Sequence, residues 1–282
     1  MGVPYAEVIG DPIGHSKSPL IHKFWLEKLG IEGDYRATRV TADKLPDYFA
    51  SRRADPDWRG CNVTMPLKEA AISVLDEVEG RVGAINCVVP RAGRLHGINT
   101  DSAGVHEAIV DWDFGNDDSR ICLIGAGGAA RAAVAELDLW CYFNFDLIVR
   151  DQARGRDFLD ACNVNGEVYP FAEAAAAMAG RAAVINASPL GMVGFPSMPQ
   201  TVLRGLSLVG SKRPSKAGRR GFALDVVTTP VRTPFVECAE AVGLKVSDGL
   251  TMLIGQARVA FRDFFGPLPP EGEDELRELL TR

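Results

Sequence analysis

The stretch "CNVTMPLKEA", Cys61 to Ala70, sets an amide, a hydroxyl and an amine close together in the chain. It begins as a β-strand, in which residues two apart share a face, so Asn62 and Thr64 point the same way. Pro66 ends the ladder. Leu67, Ala70, Ala71, Val74, Leu75 and Val78 then recur at helical spacing, which predicts a helix with Lys68 in its first turn. A strand end and a helix start that present an amide, a hydroxyl and an amine together need an explanation beyond packing. Taken alone, the same lysine reads as a solvated helix residue.

Further polar clusters lie elsewhere in the chain. "GHSKSP" carries Ser16, Lys17 and Ser18, and there Ser18 also suits a helix N-cap with Pro19 at the first helical position. "GINTDSAG" carries Asn99 and Asp101, and Asp101 equally suits an Asx turn or a cap. Gln256 shares a helical stripe with Leu253, Ala257, Ala260 and Phe264, where burial is expected. A buried amide needs partners, and a polar ligand would supply them.

A second kind of chemistry is written in "LIGAGGAARAA". Gly125, Gly127 and Ala130 form a G-x-G-x-x-A pattern between a strand and a helix. The turn Gly125, Ala126, Gly127, Gly128, Ala129 is a candidate cradle for a pyrophosphate at the helix N-terminus. The following strand ends at Arg150, Asp151 and, three residues later, Arg154. Two guanidinium groups suit the 2′-phosphate of NADP. Asp151 points the other way, since a carboxylate there holds a ribose hydroxyl and repels the phosphate. NADP is favoured, with NAD left open, and an exposed charged loop is the plain alternative.

The elements that must position these residues form an α/β pattern. "YAEVIG", "DYRATRV" and "RGCNVTM" read as strands, and "SPLIHKFWLEKLG" as a helix ended by Gly30. "AINCVVP" and "RLHGINTD" read as two strands joined by a short turn. From "RICLIG" onward strands alternate with helices, which predicts a parallel sheet covered on both faces. "GLTMLIGQARVAFRDFFG" and "EGEDELRELLTR" close the chain as helices.

At 282 residues, two domains are the natural expectation. A net charge of −6 argues against a general grip on nucleic acid or anionic lipid. The basic run "SKRPSKAGRR" (211–220) reads as a solvated loop. The six cysteines show no CxxC spacing and several lie in apolar runs, which fits buried thiols rather than disulfides or zinc. With no signal peptide and no apolar stretch long enough to span a membrane, a cytoplasmic protein is expected.

In combination the motifs say more. "GDPIGHSKSPLIH", "GCNVTMPLKEAA", "VGAINCVV", "GRLHGINTDSAG", "LIGAGGAARAA", "VINASPLGM", "LDVVTTPVRTPF" and "DGLTMLIGQA" follow one another as in shikimate dehydrogenases, and the chain resembles that family over nearly its whole length. The resemblance implies a mixed-sheet substrate domain, 1–103 with 249–282, and a Rossmann-like NADP domain, 104–248. It implies that Ser16 and Ser18 hold a substrate carboxylate. Thr64, Asn86, Asp101 and Gln256 would hold ring hydroxyls, with Asn62 lining the pocket. Lys68 and Asp101 would be the catalytic pair, and Asn186, Met192 and the Gly249 backbone would approach the nicotinamide end. The implied reaction is reversible, NADP-dependent reduction of 3-dehydroshikimate to shikimate, by a monomer or homodimer.

The chain departs from the family pattern at three places. Val149-Arg150-Asp151 replaces Asn-Arg-Thr, Thr228 replaces a substrate-reaching tyrosine, and the segment before "GFALDVV" is long. An NAD-using quinate/shikimate dehydrogenase is the nearest alternative, although Ser18, where quinate-users often carry threonine, favours shikimate. A non-catalytic metabolite sensor is the alternative outside enzymes.

Overall fold

The computed structural model describes residues 2–79, 83–112, 120–140, 144–211, 221–270 and 274–282. Nearly all of the basic run, 212–220, lies outside them, as does Cys141. The chain divides into two compact units, Met1–Ala103 with Ile254–Arg282, and Gly104–Leu253.

The first unit is built on a mixed sheet. Its strands are β1 (Tyr5–Gly10), β2 (Asp34–Arg39), β3 (Trp58–Val63), β4 (Glu77–Val78), β5 (Cys87–Arg91) and β6 (Arg94–Ile98), in the order β2-β1-β3-β5-β6-β4. β1 pairs parallel with β2 and β3, and β5 runs antiparallel to β3 and β6. Alternate residues of β1 go to opposite faces: Tyr5 and Ile9 join one core, Ala6 and Val8 the other. β5 and β6 form the expected hairpin, with Ala92 (φ 49) and Gly93 (φ 79) both left-handed at its turn. Helices α1 (Ser18–Leu29) and α2 (Leu45–Arg53) belong to this unit, and Gly30 ends α1 at φ 63 as its position predicts.

Two expectations for this unit need correction. The helix after Pro66 is a single five-residue 3₁₀ turn, Ala70–Val74, and Lys68 lies ahead of it, not in the first turn of an α-helix. The sheet edge claims the chain too soon for a longer helix. Asp76 N–H donates to Leu95 O, Glu79 N–H to Gly97 O, and Val78 pairs with Gly97 in β4. Ser18 is not the cap of α1 either: the helix begins at Ser18 itself, Lys17 is its N-cap residue, and Ser16 Oγ accepts from Ser18 N–H at 3.3 Å.

The second unit carries an all-parallel sheet of β7 (Ile121–Ile124), β8 (Phe145–Ile148), β9 (Val168–Tyr169), β10 (Ala183–Asn186), β11 (Phe222–Asp225) and β12 (Lys245–Ser247). Its order is β12-β11-β10-β7-β8-β9, the doubly wound arrangement that alternating strands and helices predict. Ile121 and Leu123 face a core shared with α3 (Asp101–Ile109), α4 (Gly128–Leu139) and α5 (Gln152–Cys162). Cys122 and Ile124 face the opposite core, against α6 (Ala174–Met178), α7 (Gln200–Gly205) and α8 (Pro234–Ala241). Both faces are dry, which explains why these strands read as unbroken apolar runs. The long α9 (Gly249–Phe265) and the final α10 (Asp274–Thr281) return the chain to the first unit.

Candidate active site

Asn62 lies near the end of β3, 6 % exposed, and Thr64 follows the strand. The turn after it is tied locally, with Leu67 N–H donating to Thr64 O at 2.9 Å. Ile85 N–H then donates to Lys68 O at 3.1 Å. That backbone bond sets Lys68 against the segment carrying Asn86. Asn86 in turn reaches the chain at Thr100, since Thr100 N–H donates to its Oδ1 at 2.6 Å. Asn99 Oδ1 accepts from Asp101 N–H at 2.9 Å, leading the chain into α3 with Asp101 as its first residue.

These turns converge on a single ion pair. Lys68 Nζ donates to Asp101 Oδ2, and Asn86 Nδ2 donates to Asp101 Oδ1 at 2.7 Å. The ammonium side chain is 20 % exposed and the carboxylate side chain 9 %. Both Asp101 oxygens therefore accept, and the carboxylate is held as an orienting anion next to the amine. Gln256 Oε1, on α9, accepts from Thr100 Oγ1 at 3.3 Å and Asn86 Nδ2 at 3.4 Å. The stripe position of Gln256 did predict a buried amide with polar partners.

Thr100 was not singled out in the sequence, yet it is 2 % exposed and bonded to both Asn86 and Gln256. A hydroxyl between an Asn and an Asp gave little signal before folding. Tyr35 was missed in the same way. It is fully buried on β2, its hydroxyl donates to Asn62 Oδ1 at 2.6 Å, and Asn62 Nδ2 donates to Asn86 O at 3.2 Å. The amide is thus oriented, and its second N–H has no partner among the described residues. Behind Tyr35 the buried ring of His22 stacks at 3.9 Å, in a cluster with Trp25, Phe261 and Phe264. Ser16 is half-buried and Ser18 is 7 % exposed at the head of α1.

In the second unit Gly125 ends β7 with φ +100, and a Cβ there would meet Ala187 O at 3.2 Å and Ser188 Cβ at 3.1 Å. Glycine is required both for the backbone conformation and for the approach of the chain after β10. Gly127 precedes α4 with no side-chain cap, and a Cβ on it would meet nothing within 4 Å. Ala126, Gly128 and Ala129 are all half-buried. The first N–H groups of α4 thus receive no cap from the N-cap residue, and Gly127 leaves the space beside its own Cα open, as a pyrophosphate needs. The residues present fit a dinucleotide.

Arg150 and Arg154 are exposed, as a phosphate-binding pair requires. Asp151 is committed to the fold as the N-cap of α5, where its Oδ1 accepts from Ala153 N–H at 3.0 Å and Arg154 N–H at 3.1 Å. Asn186 is fully buried and its amide is spent. It donates to Asp225 Oδ1 and Leu190 O, and accepts from Ser188 N–H and Oγ. It shapes the loop rather than presenting its amide to a ligand. Met192 is half-buried in the turn beyond, and Val193 N–H reaches Thr229 O at 2.9 Å, beside the half-buried Thr228. Gly249 opens α9 where a Cβ would lie 2.3 Å from Val227 O, so close packing by itself demands glycine.

Asp225 is the buried acid that organises this end. Burial pushes its carboxyl above the ordinary range, while donations from Thr233 Oγ1, Val227 N–H and Asn186 Nδ2 oppose the rise. An aspartate inside the apolar run "FALDVV" was the available signal.

Comparison with known proteins settles the family. The model for the shikimate dehydrogenase substrate binding domain matches residues 8–88. A shikimate dehydrogenase (NADP(+)) of Sphingopyxis alaskensis is 45% identical, over 99% of this chain and 97% of its own length. The chain belongs to the shikimate dehydrogenase family. Solved members agree with that membership. A shikimate 5-dehydrogenase of Thermus thermophilus, in complex with NADP(H) and shikimate, superimposes with TM-score 0.79 at 32% identity, covering 98% of this chain and 99% of its own. One from Listeria monocytogenes, in complex with shikimate and NAD, gives TM-score 0.82 at 27% identity, covering 99% and 96%.

Proposed function

We propose that this member of the shikimate dehydrogenase family reduces 3-dehydroshikimate reversibly to shikimate with NADP. The observation that carries the reading is the Lys68–Asp101 pair, with the second carboxylate oxygen held by Asn86. Interconverting a ketone and a secondary alcohol requires a hydride at carbon and a proton at oxygen. The dinucleotide supplies or accepts the hydride when bound. Lys68 gives its proton to the ketone oxygen in reduction and takes it back in oxidation. Asp101 keeps the amine aimed and bears the opposite charge, so the pair stays neutral when the lysine is protonated.

Substrate recognition follows from the same unit. Ser16 and Ser18 take the ring carboxylate, while Thr64, Gln256 and the remaining N–H of Asn62 take ring hydroxyls. Asn86 belongs to this pocket, though its donors already meet Asp101, Thr100 and Gln256. Its larger contribution is to hold Asp101. In the other unit the turn 125–129 holds the pyrophosphate, with Met192 and the Gly249 backbone toward the nicotinamide. Arg150 and Arg154 take the 2′-phosphate. One oxygen of Asp151 caps α5, which weakens the case for a ribose contact and for NAD. The enzyme works in the cytoplasm, as a monomer or a homodimer.

The deciding assay is nicotinamide reduction by the purified protein, with shikimate or quinate crossed against NADP⁺ or NAD⁺. Shikimate with NADP⁺ should give the highest kcat/KM. A higher value with quinate or NAD⁺ would overturn the specificity, and no turnover with any pair would overturn the enzyme reading in favour of a sensor.

A further inference from the structure

Lys17 stands between the two serines of the carboxylate subsite, where an ammonium would be an obvious partner for the substrate's charge. Its Nζ goes elsewhere, to the backbone carbonyl of Leu280, 263 residues along the chain, at 2.6 Å. Leu280 lies in the last turn of α10, whose final carbonyls have no intrahelical N–H to accept from. A cation is favoured there both as a donor and by the negative end of the helix dipole. At the far end of the same two helices, Lys28 Nζ meets Glu275 Oε2 at 2.9 Å. The start of α1 is therefore bound to the end of α10, and the end of α1 to its start, so α10 lies antiparallel along α1. Leu276 and Leu280 are buried beneath it.

We propose that α10 is a positioning element for the substrate subsite and that Lys17 is the residue through which it acts. The bond to Leu280 adds a long-range restraint to the helix start that carries Ser16 and Ser18, and so to the placement of the two hydroxyls against the rest of the unit. Gly14 and His15, just before them, are exposed; the turn is held locally by Ser16 N–H to Ile13 O at 3.0 Å and by the first α1 bonds to Lys17 O, and the bond to Leu280 adds a link from it to α10. The inference rests on the reading that Ser16 and Ser18 hold the substrate carboxylate.

A kinetic cycle on the full enzyme tests this. Lys17→Met keeps the apolar stem and removes the donor. It should raise KM for shikimate about tenfold, the scale of one charge-assisted hydrogen bond, with kcat and KM for NADP⁺ little changed. Deleting residues 274–282 should raise KM similarly, and Lys17→Met should add nothing to it. If the lysine touched substrate directly, its substitution would cost the same factor in the shortened chain, and that additivity would overturn the proposal. Should the deletion fail to fold, Lys28→Met with Glu275→Gln loosens α10 at its other end. That pair should raise KM in the parent enzyme and not in Lys17→Met; equal rises in both backgrounds overturn the proposal as well. Ser16→Ala and Ser18→Ala test the reading underneath. If neither raises KM for shikimate, the carboxylate subsite is wrong; if both do and Lys17→Met does not, only the α10 tie is wrong.

Discussion

Asp101 receives Lys68 on one oxygen and Asn86 on the other, and that double engagement divides the labour between the three residues. Lys68 is the group with a proton to transfer. Lys68→Ala should lower kcat by about 10²- to 10⁴-fold, the usual contribution of a positioned acid–base group, while shikimate binding measured by calorimetry stays within a few-fold. A comparable loss of binding would mean that the lysine holds substrate rather than moving a proton. Tyr35 acts one step further back. Tyr35→Phe leaves the ring stack intact but strands Asn62 Oδ1, a buried acceptor whose lost partner costs about 1–3 kcal/mol. KM for shikimate should rise with kcat nearly unchanged; an unchanged KM would show that the orientation of Asn62 does not matter to substrate.

Helix ends and strand ends carry the cofactor argument. The α4 N-terminus lacks a side-chain cap and the α5 N-terminus has one in Asp151. Two strand-to-helix turns of the same sheet are thus prepared for different partners, one for a ligand and one for its own chain. Asp151→Ala should cost about 1 kcal/mol of stability, as N-cap removal does, and leave the NADP⁺ to NAD⁺ preference where it was. Arg150→Ala with Arg154→Ala should do the reverse, raising KM for NADP⁺ at least tenfold, the order expected from losing charge-assisted phosphate contacts, with little effect on NAD⁺. Steady-state kinetics and urea unfolding on the two variants separate the roles. A preference that moves with Asp151 would return that carboxylate to the ribose.

For the molecule as a whole, acid stability is set in part by buried groups outside the catalytic pair. His22 is fully buried with neither ring nitrogen partnered among the described residues, and burial pulls its pKa down to about 3. The unfolded chain takes up that proton near the ordinary imidazole value. Stability is therefore fully present above that value and drains away as pH falls toward the folded one, by at most about 1.4 kcal/mol per pH unit. Glu7 adds to this at lower pH. Burial raises its pKa, but donations from Arg52, Thr38 and Tyr48 outweigh that and hold it below the ordinary range. Its contribution is present above the unfolded carboxylate value and lost as pH falls through the folded one. His22→Phe loses no hydrogen bond and removes one of these protons. Its unfolding free energy should fall less than the parent's between about pH 7 and about pH 5. Equal slopes would show that His22 is not charged on unfolding in that range.

The G-x-G-x-x-A turn, the alternation of strands and helices, the hairpin at 87–98 and the Gln256 stripe were legible in the sequence. Each depends on neighbours within a few residues: backbone sterics, side-chain period and helix-terminal chemistry act locally, so the order of residues determines them. The short 3₁₀ turn after Lys68 was not legible, because the strand β6 that ends the apolar helix pattern is contributed from residues 94–98. Nor was the use of Thr100, Tyr35 and Asp225, or the direction in which Lys17 reaches. A hydroxyl or ammonium has many possible partners along an unfolded chain, and only packing removes all but one. Asp151 shows the same division: its type and position suggested a ribose contact, and the N-terminus of α5, which begins at the next residue, claimed one of its oxygens. The sequence determined which chemical groups this protein owns and which local frames carry them. The tertiary structure decided which of them remain for a ligand, because hydrogen-bonding capacity spent inside the fold is no longer available to anything bound.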